Sequence, residues 1–242
     1  MLERMRGGLV VSVQAAPGSP LAAPEHLAAI ARAVEAGGAV GIRTEGVGAI
    51  RAIREAVDVP VIGLVKRQTP GTDVYITPEI ADVAAVAEAG ADLVAVDATE
   101  RPRADGTGGP EFVAAASAEL PGRIVADVDT ESAGRAAAGA GAAAIATTLS
   151  GYTMADTPSG PDIPLVSQLS QTIVVPVFAE GRYSTQEEVW AALGAGAFAV
   201  VVGTAITNPE ALTRRLATPP PLGADAERAA PDRTAPPQGA DG

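Results

Sequence analysis

Four dipeptides, Ala36-Gly37, Ala89-Gly90, Ala140-Gly141 and Ala195-Gly196, recur at intervals of 53, 51 and 55 residues. Each follows an alanine-rich stretch with helical spacing and precedes a short β-branched run. A glycine at that point lets a helix end and the chain enter the next strand, and each interval holds about two strand–helix units. A second echo, VPVIG at Val59 and VPVFA at Val175, lies 116 residues apart, near half of an eightfold array. The apolar runs predict strands over Leu9–Gln14, Ala39–Arg43, Val61–Lys66, Leu93–Asp97, Arg123–Asp127, Ala142–Thr147, Val175–Glu180 and Phe198–Val202. Helical patterns are predicted between and after them, over Pro24–Glu35, Val47–Ala56, Pro78–Ala89, Glu111–Leu120, Thr130–Ala138, Asp162–Ser170, Thr185–Leu193 and Pro209–Leu216. Strict alternation demands a parallel sheet, and eight units of this size imply closure into a (β/α)8 TIM barrel, one domain over residues 1–217. The stretch 218–242 is rich in Pro, Ala, Gly and charge. It cannot bury enough apolar surface to offset the entropy of ordering, so a disordered Pro/Ala-rich C-terminal tail is expected there.

Charge and residue usage exclude several classes of function. With 17 basic against 29 acidic side chains the net charge is −12, which disfavours sequence-independent binding to nucleic acid or to an anionic membrane. No cysteine is present, so thiolate nucleophiles and thiolate metal ligands are excluded. His26 is the one histidine and falls in the first helix beside Glu25, a place for a solvated helix residue, so a three-ligand zinc site has no histidines to use. No apolar run approaches a membrane span, and the six-residue run after the charged opening residues is too short for a signal sequence. The expected location is the cytoplasm.

Cation usage singles out one residue. Sixteen arginines accompany a single lysine, Lys66. Arginine stays protonated at any working pH, whereas a lysine can be brought toward neutrality and then exchange a proton or attack a carbonyl. Most lysines are solvated, but Lys66 ends the run VPVIGLVK and so emerges from a buried strand. In barrels of this class the site is built at the C-terminal ends of the strands. There the sequence presents Gln14, Arg43, Lys66 with Arg67, Asp97 with Thr99, Asp127 with Asp129, Thr147 with Thr148, Glu180 with Arg182, and Gly203 with Thr204. Asp129 and Thr130 equally suit the N-cap of the following helix. AEGR at Ala179–Arg182 and VGTAI at Val202–Ile206 follow the seventh and eighth strands, where such barrels hold phosphate on glycine amides and a short helix N-terminus. Gly181, Gly203 and Thr204 are the expected donors.

The strings GLVVSVQA, GGAVGIR, PVIGLVKR, DVYITP, DLVAVDAT, VADVDT, TTLSGYT, VFAEGR and VVVGTAIT, in this order over about Gly7–Leu216, resemble the N-acetylmannosamine-6-phosphate 2-epimerase family. The lysine ending of PVIGLVKR, the TTLSGYT loop and AEGR are the most specific of them. The resemblance implies interconversion of N-acetylmannosamine 6-phosphate and N-acetylglucosamine 6-phosphate, with Lys66 as catalytic lysine and Glu180 as catalytic glutamate. It further implies that Gln14, Arg43, Asp127 and Arg182 line the sugar phosphate, with Arg182 also at the phosphate, and that the protein is a homodimer. Asn208 departs from the family pattern, which more often has a basic residue there.

Side-chain chemistry is compatible with that reaction. Inverting a carbon beside a carbonyl needs a proton removed, an enolate stabilised, and a proton returned to the opposite face. Lys66 can carry the proton with Glu180 holding and orienting it, while Arg43 and Arg182 offset substrate charge. A two-base version, with Lys66 on one face and Glu180 or Asp127 on the other, is also open. No metal, nicotinamide or other cofactor is called for. Two other readings keep the fold: a Schiff base on Lys66, making a phosphosugar lyase or synthase, and a non-catalytic phosphosugar-binding protein.

Overall fold

The computed structural model describes residues 1–16, 18–153 and 157–218. Eight parallel strands close into a barrel in sequence order: β1 (Leu9–Val13), β2 (Gly41–Glu45), β3 (Val61–Leu64), β4 (Leu93–Asp97), β5 (Ile124–Asp127), β6 (Ala144–Ala146), β7 (Val177–Glu180) and β8 (Ala199–Val202). The helices among the described residues are α1 (Pro24–Ala36), α2 (Val47–Arg54), α3 (Ile80–Glu88), α4 (Gly109–Glu119), α5 (Glu131–Gly139), α6 (Ile163–Thr172), α7 (Gln186–Gly194), α8 (Thr204–Thr207) and α9 (Pro209–Ala217). The expected (β/α)8 barrel is therefore present. Its compact unit runs Met1–Asn208, and α9 belongs to a second unit that begins at Pro209. The expected tail beyond Thr218 lies outside the described residues.

The period-two alternation of each strand sorts side chains into two layers. One set, which includes Val10, Ile62, Leu64, Leu93, Ala95, Val125, Ala144, Ala146, Phe178, Ala199 and Val201, forms a single cluster that fills the lumen. The alternate set, such as Val94, Val96, Ile124, Ala126, Ile145 and Val200, packs with helix residues such as Val86, Val113 and Leu169. Pairing registers Ser12 with Arg43, Asp97 with Asp127, and Asp127 with Ala146, which brings polar residues to one level at the C-terminal end of the barrel.

Local signals were accurate with small shifts. Gly90, Gly141 and Gly196 take φ of +101°, +99° and +102°, the left-handed turn that ends a helix without a Cβ penalty. In the first repeat the turn falls one residue later, on Gly38 at φ +100°, and Gly37 remains helical. Thr130 caps α5 by accepting from the Ala133 amide, while Asp129 instead accepts a hydrogen bond from Thr153. A 3-10 turn at Leu2–Met5 was not expected from the charged opening residues. Its Met5 is fully buried among the lumen residues and closes the N-terminal end of the barrel.

Gly63 shows how closely the outer layer is packed. A Cβ there would stand 2.7 Å from Ala91 Cβ, 2.8 Å from Val86 Cγ1 and 2.9 Å from Ile50 Cδ1, so β3 seats directly on α2 and α3. Gly63→Ala is expected to destabilise the protein by about 1–3 kcal/mol through overpacking, lowering Tm by at least ~2 °C. Thermal unfolding followed by circular dichroism checks this, and an unchanged Tm would show that the helices yield freely.

Candidate active site

Arg43 is inward-facing on β2, Asp127 on β5 and Glu180 on β7, so the alternation that fills the lumen with apolar groups ends in an ionic cluster at its C-terminal end. Arg43 Nη1 and Nη2 donate to Asp127 Oδ1 and Oδ2 at 3.1 and 2.6 Å, a bidentate pair between two fully buried side chains. Arg43 Nε faces Glu180 Oε1 at 3.2 Å, an ion-pair contact without hydrogen-bond geometry. Burial opposes the charge on Arg43, but Asp127 and Glu180 outweigh it and the guanidinium stays protonated. One cation cannot neutralise two buried carboxylates. Burial therefore raises the Glu180 pKa to about 7, with Arg43 lowering it and the neighbouring Asp127 adding to the rise. Thr147 and Thr148, which follow β6, hold this glutamate. The Thr147 hydroxyl donates to the Glu180 carbonyl and accepts from its amide, and the Thr148 hydroxyl lies 3.0 Å from Oε2.

Lys66 stands apart from that cluster. β3 ends at Leu64, and Lys66 follows in a loop that folds back on itself through an antiparallel bridge between Lys66 and Ile76. The amide of Arg67 donates to the Tyr75 carbonyl and the amide of Thr77 to the Val65 carbonyl, which fixes the backbone of the lysine. Its Nζ donates to Gln14 Oε1 at 2.6 Å and pairs with Glu45 Oε2 at 3.3 Å, with 39% of the side chain exposed. Gln14 is itself oriented by its Nε2 donating to Ser12 Oγ at 3.0 Å. The expectation that Glu180 orients Lys66 is thus replaced by Gln14 and Glu45. The lysine charge still reaches Glu180, where it favours the ionised carboxylate.

A cleft of roughly 520 Å³ opens beside the lysine, lined by Ser12, Gln14, Glu45, Lys66, Tyr75 and, across it, Gly203, Thr204 and Asn208. It brings together Gln14, Lys66, Gly203 and Thr204 of the expected site. Tyr75 joins this cleft to the buried cluster. Its pKa is raised by burial and then by the field of Asp127. Gly203 precedes α8, the short helix expected after the eighth strand. Gly181 and Arg182 lie on the turn after β7, at φ +113° and +64°. The Arg182 guanidinium donates to the carbonyls of Ser150 and Gly160 at 2.5 and 2.6 Å and lies over the Tyr152 ring, so it ties down the loop after β6. Left-handed backbone at a non-glycine residue costs of order 1 kcal/mol, and those contacts hold it.

Sequence reasoning missed Glu45 and Tyr75 as site residues. Glu45 was legible in principle, since it is two residues past Arg43 and on the same face of β2, but the strand was expected to end at Arg43. Tyr75 had no local signal, because its place depends on the fold-back of the loop. Ser12, a polar residue on the inward phase of an apolar strand, is marked by the alternation of β1 itself.

The profile of the family described as "Putative N-acetylmannosamine-6-phosphate epimerase" matches residues 27–219. The chain is 45% identical to the putative N-acetylmannosamine-6-phosphate 2-epimerase of Caldanaerobacter subterraneus subsp. tengcongensis, covering 90% of this chain and 93% of that protein. It is 47% identical to the putative enzyme of the same name from Thermosynechococcus vestitus, covering 85% and 90%. The solved structure of the N-acetylmannosamine-6-phosphate 2-epimerase from Clostridium perfringens superposes with a TM-score of 0.84 at 36% identity, covering 89% of this chain and 94% of that one.

The electrostatics of the buried cluster give a pH dependence with a definite sign. A carboxyl whose pKa is raised on folding binds its proton more tightly in the folded state, so stability falls as pH rises between the ordinary value of 4.5 and about 7. The unfolding free energy of the wild type minus that of Glu180→Gln is expected to fall across this window, with a limiting slope of about 1.4 kcal/mol per pH unit for one proton. Above the window it levels off. Denaturant unfolding at closely spaced pH values measures the difference, and a flat one would mean that Glu180 is ionised throughout.

Proposed function

The chain belongs to the N-acetylmannosamine-6-phosphate 2-epimerase family, and on that premise we propose that it interconverts N-acetylmannosamine 6-phosphate and N-acetylglucosamine 6-phosphate in amino-sugar and sialic acid breakdown. The observation that carries the reading is the placement of Lys66: a lysine on the wall of the cleft, tethered to Gln14 and Glu45, within electrostatic reach of a glutamate with a near-neutral pKa. In this proposal neutral Lys66 removes the proton from carbon 2 of the open-chain sugar. Charge then develops on the carbonyl oxygen, and the buried Arg43 supplies positive potential without moving, because Asp127 already holds it in place. Lys66 returns the proton after the carbon has presented its other face. Glu45 has the geometry to stabilise the ammonium form that exists between those two events.

The phosphate is assigned to the far side of the same cleft, at Gly203 and Thr204, with Gly181 on the adjoining turn. Arg182 acts there indirectly in this reading, by holding the loop after β6. Asn208, also on the cleft wall, offers an amide rather than a charge, so backbone donors carry more of the phosphate binding. The residues named suffice for proton transfer without a cofactor. The protein is proposed to act as a cytoplasmic homodimer, without nucleic acid or membrane as partner.

The reaction is tested by a proton NMR time course with N-acetylmannosamine 6-phosphate in heavy water. Deuterium is expected at carbon 2 of both sugars as the second one appears. No exchange and no product would overturn the assignment. A stable adduct on Lys66 after borohydride reduction with substrate would point instead to a Schiff-base lyase.

Lys66→Arg keeps the charge and removes the accessible neutral form, so kcat is expected to fall by about 10³-fold or more with KM little changed. A variant that keeps over a tenth of the wild-type rate would show that the base lies elsewhere.

A further inference from the structure

Thr148 presents a proton-counting problem. Its Oγ1 lies 2.7 Å from Asp127 Oδ1 and 3.0 Å from Glu180 Oε2, both hydrogen-bond distances. A hydroxyl carries a single hydrogen and can donate to one of these oxygens. The other contact would set two oxygens face to face with no hydrogen between them unless the carboxyl brings its own. The shorter contact goes to Asp127, whose two oxygens both accept from Arg43 and which is therefore the ionised member of the pair. Glu180 receives no hydrogen bond from Arg43, only the ion-pair contact at Nε. Charge counting points the same way: one guanidinium is shared by two carboxyl groups in a buried space, and one added proton leaves the cluster neutral.

We propose that Thr148 is a positioning residue that stations a proton on Glu180: Glu180 Oε2–H donates to Thr148 Oγ1, and Thr148 donates onward to Asp127 Oδ1. The direction of this chain makes Glu180 the acid and Asp127 the acceptor at its end. Burial and Asp127 favour the proton on Glu180, while the charges of Arg43 and Lys66 oppose it without a hydrogen bond to its carboxyl group. Arg43 on β2 is committed to Asp127 on β5, Thr147 after β6 holds the Glu180 backbone, and Lys66 after β3 acts through its field. Because the Lys66 ammonium favours ionised Glu180, the glutamate holds its proton more tightly when Lys66 is neutral and less tightly when Lys66 is charged. The resting enzyme then has an acid in Glu180, which disfavours a second base at that position. This last consequence rests on the proposed roles of Lys66 and Glu180, whereas the location of the proton does not.

The test is a carboxyl carbon-13 NMR titration of the full chain labelled at glutamate, without substrate, with Glu180→Gln to assign the resonance. Wild-type Glu180 is expected to titrate well above the ordinary carboxyl value of 4.5, because burial and the neighbouring Asp127 raise it. Thr148→Val removes the acceptor for the Glu180 proton, so its midpoint should fall by about one pH unit, a tenfold loss of proton affinity, and Thr148→Ser should restore it. Thr148→Ala takes the place of the valine variant if that one does not fold. A midpoint that stays or rises without the hydroxyl would overturn the proposal, because Thr148 would then be idle or donating to ionised Glu180. A wild-type midpoint near 4.5 would overturn it without any variant. In the pH profile of kcat/KM the basic limb should move to lower pH in Thr148→Val and return in Thr148→Ser. Failure of that limb to move, with the NMR shift present, would leave the proton on Glu180 and remove Glu180 from the reaction.

Discussion

The site depends on one guanidinium in the barrel lumen. Arg43 is buried at the C-terminal level of the sheet, and a charge there is tolerable only because Asp127 meets it with two hydrogen bonds and Glu180 with a third contact. Removing Arg43 or Asp127 leaves an uncompensated buried charge, at a cost of about 3–5 kcal/mol. The apolar lumen below, from Met5 up through Phe178 and Leu64, excludes the water that would otherwise weaken these interactions. Packing and electrostatics are therefore linked, since the apolar layers set the dielectric and the ionic layer forms the floor of the site.

Two kinds of positioning coexist above that floor. Arg43, Asp127 and Glu180 sit on strands whose backbones are locked by the barrel ladder, which suits groups that must present a fixed potential. Lys66 has left its strand, is partly exposed, and is steered by Gln14 just after β1, by Glu45 on β2 and by the fold-back of its own loop. A group that must gain and lose a proton needs access to solvent and substrate, and a lysine in the dry lumen would have neither. This separation explains why Glu180 does not orient Lys66 by contact: the two communicate through the field, and each keeps its own set of partners.

The turn after β7 follows a similar logic. Gly181 and Arg182 adopt left-handed backbone in succession, and the strain at Arg182 is held by hydrogen bonds to the loop after β6. Arg182, which the family resemblance places at the substrate, donates to the carbonyls of Ser150 and Gly160 and so joins two site loops. Phosphate recognition is left to the glycine backbone after β8 in the proposed function, in keeping with Asn208 where the family pattern more often has a basic residue.

The sequence by itself determined the number, type and order of the strand–helix units, because those signals are local. Helical and strand periods, capping residues such as Thr130 and Thr185, and the left-handed glycines at 90, 141 and 196 each act within a few residues. It also marked Lys66, through composition, and the polar strand ends, through alternation. Only the tertiary structure decided which of those polar ends meet. Arg43 and Asp127 are 84 residues apart in the chain, and Lys66 and Gln14 are 52 apart. Their contacts follow from barrel closure and strand register, which no local pattern encodes. The side of the barrel on which Tyr75 and Glu45 act, and the hydroxyl of Thr148 between two carboxyl groups, depend on the same register. A shift of one residue in any strand would turn these side chains from the lumen to the helices.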